Sequence, residues 1–539
     1  MKLRDILQIN AEQFNHPSHT GGNRGEFEAK GYQLPQFDIK AVREKTYREP
    51  TWVHFGGGNI FRAFPAAMLN DALNTGQYDR GVIVAETFDF EVVDKAYAPY
   101  QNLSLCVNLC SDGSIEKKVI ASVTEALKAD PQFPDWQRLV DIFRNPSLEM
   151  ISFTITEKGY SYNDADLARG LKPLFAMGKV CALLYERWQA GQLPLTVQSM
   201  DNCSHNGDKV KAGVFAYAEK WVADGLVPAA FLDYLKDETK ITFPWSMIDK
   251  ITPRPHEKVK EMLAQDGFED NDYIETEKHT FTAPFVNAEE VQYLVIEDHY
   301  TNGRPPLDLG GALYTTRETV DKVETMKVTT CLNPLHTAMS IYGCMLGYTL
   351  ISAEMADEDL RPFIQKIGYI EAMPVVVDPG VLNPYEFIGA VINRRLPNPF
   401  MPDAPQRIAM DTSQKLPIRF GETLKKYIAR GLDKSNLVLI PLTLAGYARY
   451  LKGLKDDLTP FEPSPDPMLA ELQAIVAPLE IGKPDQDWSP LRQLFSRKDV
   501  FGLDLYEAGL GEQIEGMVRE LYAGSGAVRQ TLHKYVQAR

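Results

Sequence analysis

The sequence predicts an α/β domain built on a parallel sheet, followed by a mostly α-helical domain. Three observations carry that prediction. A strand-like run, Thr51 to Phe55, passes directly into Gly56-Gly57-Gly58 and an apolar-periodic helix. Further apolar runs alternate with helical patterns up to about residue 300, the order that builds βαβ units. Beyond the polar loop Thr301-Asn302-Gly303-Arg304-Pro305-Pro306, apolar residues recur with the period of a helix.

With 539 residues the chain exceeds what one core can organise. The expected division is an irregular arm over 1–50, a nucleotide-binding domain over 51–304 and a helical substrate domain over 305–539. The hydrophobic fraction of 44% and charged fraction of 24% are those of a globular protein. A formal charge of −16 argues against nucleic acid and anionic membrane surfaces as partners. It also means that an anionic substrate needs local cations. There is no amino-terminal signal pattern, and the longest apolar candidate, Leu437 to Ala445, is interrupted by Pro441, so a non-spanning cytoplasmic protein is expected. The six cysteines contain no C-x-x-C pair and read as reduced thiols, not as a disulfide frame or a zinc site.

Residues 1–50, with His16-Pro17, Gly21-Gly22 and Gly31, offer no readable chemistry. After Trp52-Val53-His54-Phe55 the glycine turn leads into Asn59-Ile60-Phe61-Arg62-Ala63-Phe64 and a helix to about Leu73. This arrangement brings a pyrophosphate onto backbone N–H groups, and Arg62 could add charge. Gly81 to Glu86 is a continuous apolar run that ends on an acid about 28 residues after the turn. A carboxylate there would accept from both adenosine ribose hydroxyls and repel a 2′-phosphate, which favours NAD over NADP; Asp89 is the second choice.

Strand-like runs follow at Val119–Val123, Met150–Thr156 and Leu195–Met200, separated by helical runs that include Phe175–Trp188 and Lys209–Ala223. Two polar clusters sit where such strands end, which is where ligands bind in open parallel sheets. One is Thr156-Glu157-Lys158-Gly159-Tyr160, the other Asp201 to Gly207 with Asn202, His205 and Asn206. The second is also ordinary turn and cap chemistry. Helical runs in the second half include Leu335–Ile351, Leu360–Ala372, Tyr385–Asn393, Arg419–Arg430 and Val438–Leu451. Between them, Arg394, Arg395, Lys415 and Arg419 could supply charge for a carboxylate, although at least two of the four are expected to be plain surface cations.

The densest collection of catalytic group types is Lys327 to His336: an amine, the amide of Asn333 and an imidazole. Oxidising a secondary alcohol needs a base for the hydroxyl proton and donors for the oxygen as the C–H bond breaks. A buried lysine can serve as the first, an asparagine amide as the second, and a histidine can position a hydroxyl. A helix start at Asn333-Pro334 explains the same residues without chemistry.

Taken together, these motifs resemble the polyol-specific long-chain dehydrogenase/reductase family of mannitol dehydrogenase. Phe55-Gly56-Gly57-Gly58-Asn59-Ile60-Phe61-Arg62-Ala63-Phe64 is similar to the family's F-G-x-G-N-F-x-R-A-F. Thr154 to Tyr160 is similar to T-x-T-E-K-G-Y, Asp201 to Gly207 to D-N-x-x-H-N-G, and Met247 to Pro253 to M-V-D-R-I-T-P. Later segments at Ile296–Pro305, Asn398-Pro399 and Ser413–Pro417 also match in order. The resemblance implies a Rossmann-type first domain and metal-independent hydride transfer between NAD and a sugar acid or polyol. The leading pair is D-mannonate/D-fructuronate; D-altronate/D-tagaturonate and mannitol/fructose are alternatives. A non-catalytic, nucleotide-gated sugar-binding protein is the alternative of another class. By position, Lys327 resembles the base, Asn333 and Asn202 the oxyanion amides, His336 the orienting histidine, and Asp249, Arg395, Lys415 and His205 substrate-side residues. The segment from Phe55 to Arg62, Glu86, Thr156, Glu157 and Lys158 would face the cofactor. Family members are often monomers.

One spacing departs from the family. Five residues separate Lys327 from Asn333 where the pattern has four. On a regular helix the extra residue would swing Lys327 by about 100°. A π-turn can absorb it, and Pro334 favours a break by removing the N–H that would bond the Thr330 carbonyl, so a π-turn or equivalent break is expected between Thr329 and Pro334.

Overall fold

The structure, a computed structural model, describes residues 1–15 and 24–538. The described chain falls into two compact units, the first running to Asp321 apart from the hairpin tip Ser111–Gly113, and the second starting at Lys322.

The first unit is organised by six parallel strands: β1 (Trp52–Phe55), β2 (Val82–Glu86), β3 (Val123–Lys128), β4 (Met150–Phe153), β5 (Leu195–Ser199) and β6 (Ile241–Thr242), in spatial order β3-β2-β1-β4-β5-β6. Every neighbouring pair is parallel. Strands β1, β2, β4 and β5 are buried along their whole length, which explains their unbroken apolar runs. The chain reverses direction across the sheet at β1 and β4, the switch point where such folds hold dinucleotides. The run expected at 119–123 is two elements. Ile115–Ile120 is a strand antiparallel to Ser104–Leu109, and β3 begins after Ala121-Ser122.

The segment before β1 is not irregular where it is described. It forms helices Asp5–Asn15, Arg24–Ala29 and Ile39–Arg48, with a two-residue strand Tyr32–Gln33 laid parallel to Ile115–Ile120. The last helix is capped by Asp38, whose side chain accepts from Ala41 N–H, and it buries Ile39, Val42 and Thr46, a narrow stripe hidden in a polar sequence. His16-Pro17 and Gly21-Gly22 lie outside the described residues. The polar loop at 301–306 is also held more firmly than its composition suggests. Arg304 pairs with Asp298 and Asp308 at 3.1 Å each and stacks over Tyr314, and the division between the units falls after Asp321.

The second unit is helical, and its axis is α6 (Asn333–Leu346), packed against α7 (Leu439–Tyr450). All of α7 is buried, which accounts for the long apolar run through Pro441; no helix among the described residues is long and apolar enough to cross a membrane. The buried carboxylate of Glu371 receives the N–H groups of Val438, Leu439 and Ile440 and so supplies the cap that the sequence at the start of α7 lacks. Four stretches of this unit are π-helical: Lys327–Cys331, Ile367–Ala372, Val391–Arg395 and Pro417–Gly421. Turns of this kind are rare and concentrate at functional sites.

Candidate active site

In the first unit, the glycine turn after β1 opens onto a cavity of about 580 Å³. Gly56 has φ +102°, and a Cβ there would lie 2.4 Å from the Thr154 carbonyl oxygen, so only glycine fits. Gly58 faces open space within the cavity wall. The helix beyond is broken: α1 (Asn59–Ala63) stops at Phe64, and α2 (Pro65–Asn74) restarts with Pro65.

Of the expected cofactor residues, Gly56, Gly58, Glu86, Thr156 and Lys158 line the cavity. Glu86 does not stand open for two ribose hydroxyls. Its Oε2 accepts from Gly57 N–H at 2.8 Å, and its Oε1 accepts from the N–H groups of Thr87, Phe88 and Asp89 at 3.0, 3.0 and 3.2 Å. Four donors occupy the lone-pair directions of one carboxylate, so Glu86 ties the glycine turn to the loop after β2. The side chain nevertheless remains part of the cavity wall. Asp89 is engaged too, accepting from the hydroxyls of Thr276 and Thr280.

Three motif residues serve the core and not the cavity. Phe55 packs on Phe153, Phe61 stacks on His54 at 4.1 Å, and Arg62, expected on the phosphates, is 1% exposed and donates to Thr282 Oγ1 and the Pro284 carbonyl. Asn59 accepts from the Thr282 hydroxyl, and Glu157 pairs with Lys209 at the surface. The apolar wall formed by Phe88, Leu174 and Phe175 was not foreseen from residue order. The only available cue was an apolar residue two places after the acid.

The T-E-K-G-Y loop is fixed by Asp201. The carboxylate accepts from the N–H groups of Ile155 and Thr156 at 2.9 and 3.0 Å and from the Tyr160 hydroxyl, while burial pushes its pKa up. Thr156 is held at φ 65°, ψ 162°, a region that β-branched residues avoid. In the second polar cluster the buried amide belongs to Asn206, which bridges the Asp201 and Ser246 carbonyls; Asn202 is exposed. His205 stacks on Trp245 at 4.0 Å and meets Asp321 through Nε2 at 3.2 Å. Asp249 is buried at the end of the strand Ser246–Asp249.

In the second unit, Lys327 opens the π-helical turn Lys327–Cys331, and the Leu332 N–H bonds the Lys327 carbonyl at 3.1 Å. Leu332 then breaks the chain at φ −133°, ψ −64°, ahead of α6. The widened turn takes up the residue that a regular helix could not. Lys327 is 6% exposed. Asn333 and His336 lie in the first turn of α6, partly accessible, with His336 Nε2 buried and without a hydrogen bond. Burial pulls the His336 pKa down to about 4; Asp403 opposes this, and Arg419, Arg395 and Arg407 add to it.

The four candidate cations separate clearly. Arg394 is exposed, and Lys415 donates to the carbonyls of Ile408 and Met410. Arg395 is 3% exposed in the π-turn Val391–Arg395, and Arg419 sits in the π-turn Pro417–Gly421. Arg407 pairs with Asp403.

Family models described as the mannitol dehydrogenase Rossmann domain and the mannitol dehydrogenase C-terminal domain match residues 50–309 and 319–522. The chain belongs to the mannitol dehydrogenase family. It is 50% identical over 528 residues to a D-mannonate oxidoreductase of Thermotoga maritima, covering 95% of this chain and 97% of the relative. It is 30% identical to a mannitol 2-dehydrogenase of Cereibacter sphaeroides, over 81% of this chain and 87% of that one. Among solved structures, a substrate-free D-sorbitol dehydrogenase superposes with a TM-score of 0.75 at 24% identity over 92% of this chain and 97% of the other. A Pseudomonas fluorescens mannitol 2-dehydrogenase in complex with NAD and D-mannitol gives 0.66 at 24% identity over 94% and 97%. These two likenesses establish the family fold across both units.

Proposed function

We propose that the protein is an NAD-dependent oxidoreductase that interconverts a hexonate and its keto-uronate, with D-mannonate and D-fructuronate as the pair. The observation that carries this reading is the nearly full-length, 50% identical relative described as a D-mannonate oxidoreductase. The cavity of the first unit fits the cofactor chemically. Gly56 and Gly58 leave the backbone of the turn bare, Glu86 places negative charge on the wall, and Phe88 and Phe175 offer apolar surface for a base.

NAD, when bound, supplies the acceptor for the hydride. The chain's own residues handle the proton and the oxygen. Lys327 accepts the proton of the substrate hydroxyl in oxidation and returns it in reduction. The amide of Asn333 donates to the oxygen as its charge changes. His336, kept neutral by burial and by the surrounding guanidiniums, orients a neighbouring hydroxyl without adding a cation. Arg395 completes the substrate side, Lys415 supports it, and no metal is required. The cations around His336 favour an acid over a neutral polyol. The π-turn at Lys327 supports the catalytic reading over a non-catalytic sugar-binding protein, because it offers a place for the extra residue.

A panel of D-mannonate, D-altronate and D-mannitol, followed at the nicotinamide absorbance band, tests the proposal. D-mannonate is expected to give the highest kcat/KM. Absence of turnover with every hexonate would overturn it.

A further inference from the structure

We infer that Arg419 receives the carboxylate of the substrate and is the residue by which this chain selects a sugar acid over a polyol. The inference rests on the assignment of Lys327, Asn333 and His336 to the reacting centre.

Arg419 lies in the π-turn that packs against the π-turn carrying Lys327. Its Nη1 donates to the Asn333 carbonyl at 3.3 Å and to Thr337 Oγ1 at 2.6 Å, positions that bracket His336 on α6. Both of these hydrogen bonds use one nitrogen, so the remaining edge of the fork is left for a planar, two-oxygen acceptor.

The charge balance points the same way. Burial alone lowers the Arg419 pKa to about 10, and among the described residues no carboxylate pairs with it. The guanidinium therefore stays charged at neutral pH without a counter-ion. Such a charge is costly unless an anion joins it. Arg419 is partly buried; a fully buried carboxyl can escape such a cost by keeping its proton. Glu354, buried beside Gly343 with both oxygens lacking hydrogen bonds, has its pKa raised well above normal in this way. An arginine has no such escape.

The neighbouring carboxylate that could have served, Asp403, is already paired with Arg407. Lys415 has turned its amine onto two carbonyls. The amine of Lys327 and the guanidiniums of Arg395 and Arg419 are thus carried by three separate π-turns of one unit. With the amine assigned to the hydroxyl proton, Arg419 offers the open fork for the acid group.

Steady-state kinetics of Arg419→Gln and Arg419→Lys with D-mannonate and D-mannitol test this. In Arg419→Gln the KM for D-mannonate should rise about 100-fold with kcat nearly kept, because ground-state and transition-state binding are lost together. The kcat/KM for D-mannitol should fall far less, so that the preference for acid over polyol drops by at least about tenfold. Arg419→Lys keeps the charge without the fork and should recover about tenfold of the loss; it also carries the test if the glutamine variant does not fold. An unchanged KM for D-mannonate would overturn the inference. So would an equal fall in kcat for acid and polyol, which would make Arg419 only a support for Asn333. If the wild type turned over no hexonate, the proposed reaction would fail separately. Thermal stabilisation by D-mannonate, expected in the wild type and absent in Arg419→Gln, would then still decide the role of Arg419.

Discussion

The cavity beside the glycine turn of the first unit and the His336–Arg419 cluster of the second treat their polar groups in opposite ways. Around the cavity, the buried acids are satisfied from within. Glu86 collects four backbone N–H groups, and Asp201 collects two and a tyrosine hydroxyl. In the second unit, among the described residues, His336 Nε2 has no hydrogen bond and Arg419 has no counter-ion. The first region is a finished surface whose shape is set before anything binds. The second carries polar demand that a ligand must meet, so its residues should show themselves in binding and turnover more than in stability.

The largest expected effect tests that division at its most sensitive point. Lys327→Ala should lower kcat about 10³-fold or more while nucleotide binding, followed by fluorescence titration, is kept. An unchanged kcat would mean that the second unit's amine is not the base. Next comes Glu86→Ala, which orphans four N–H donors and should cost about 3 kcal/mol of stability in chemical denaturation, together with weaker NAD binding and relaxed discrimination against NADP. A loss of affinity with unchanged stability would show that Glu86 is not the strut described here.

A smaller effect comes from pH. The unfolded chain protonates His336 near pH 6.5, whereas the native ring resists down to about pH 4. The contribution is therefore whole above about pH 6.5 and is lost as pH falls towards 4, by about 2–3 kcal/mol. His336→Gln should flatten that part of the stability profile; a profile identical to the wild type would refute the buried neutral ring. The smallest effect is expected from Gly58→Ala. The added methyl meets open space, so Tm should stay within about 2 °C of the wild type while NAD affinity drops about tenfold, because the methyl stands where the backbone must approach the pyrophosphate.

Much of the architecture could be read from residue order because the responsible signal is local. Apolar runs marked β1, β2, β4 and β5, and helical periodicity marked α6 and α7. Elements with a thin signal were lost: the amino-terminal helices bury only narrow stripes, and the run at 119–123 hid a change from one sheet to another. At the candidate sites, position was more legible than orientation. An acid at the end of β2 is visible in the sequence, but that its oxygens turn to the backbone is not. The F-G-x-G-N-F-x-R-A-F resemblance marked a contiguous block, yet Phe55, Phe61 and Arg62 in it point into the core. A π-turn differs from an α-helical turn by less than one residue, too little to disturb apolar periodicity. The one at Lys327 could be foreseen only because a reference spacing existed to count against.

That same turn has a consequence for how this sequence can change. Deleting one residue between Lys327 and Asn333 would bring the count to the family's four and remove the residue that the widened turn takes up. Pro334 would still interrupt the helix, so the shortened chain is expected to keep its aim. Adding a second residue is the harmful change, because a turn already widened has no slack left to hide it.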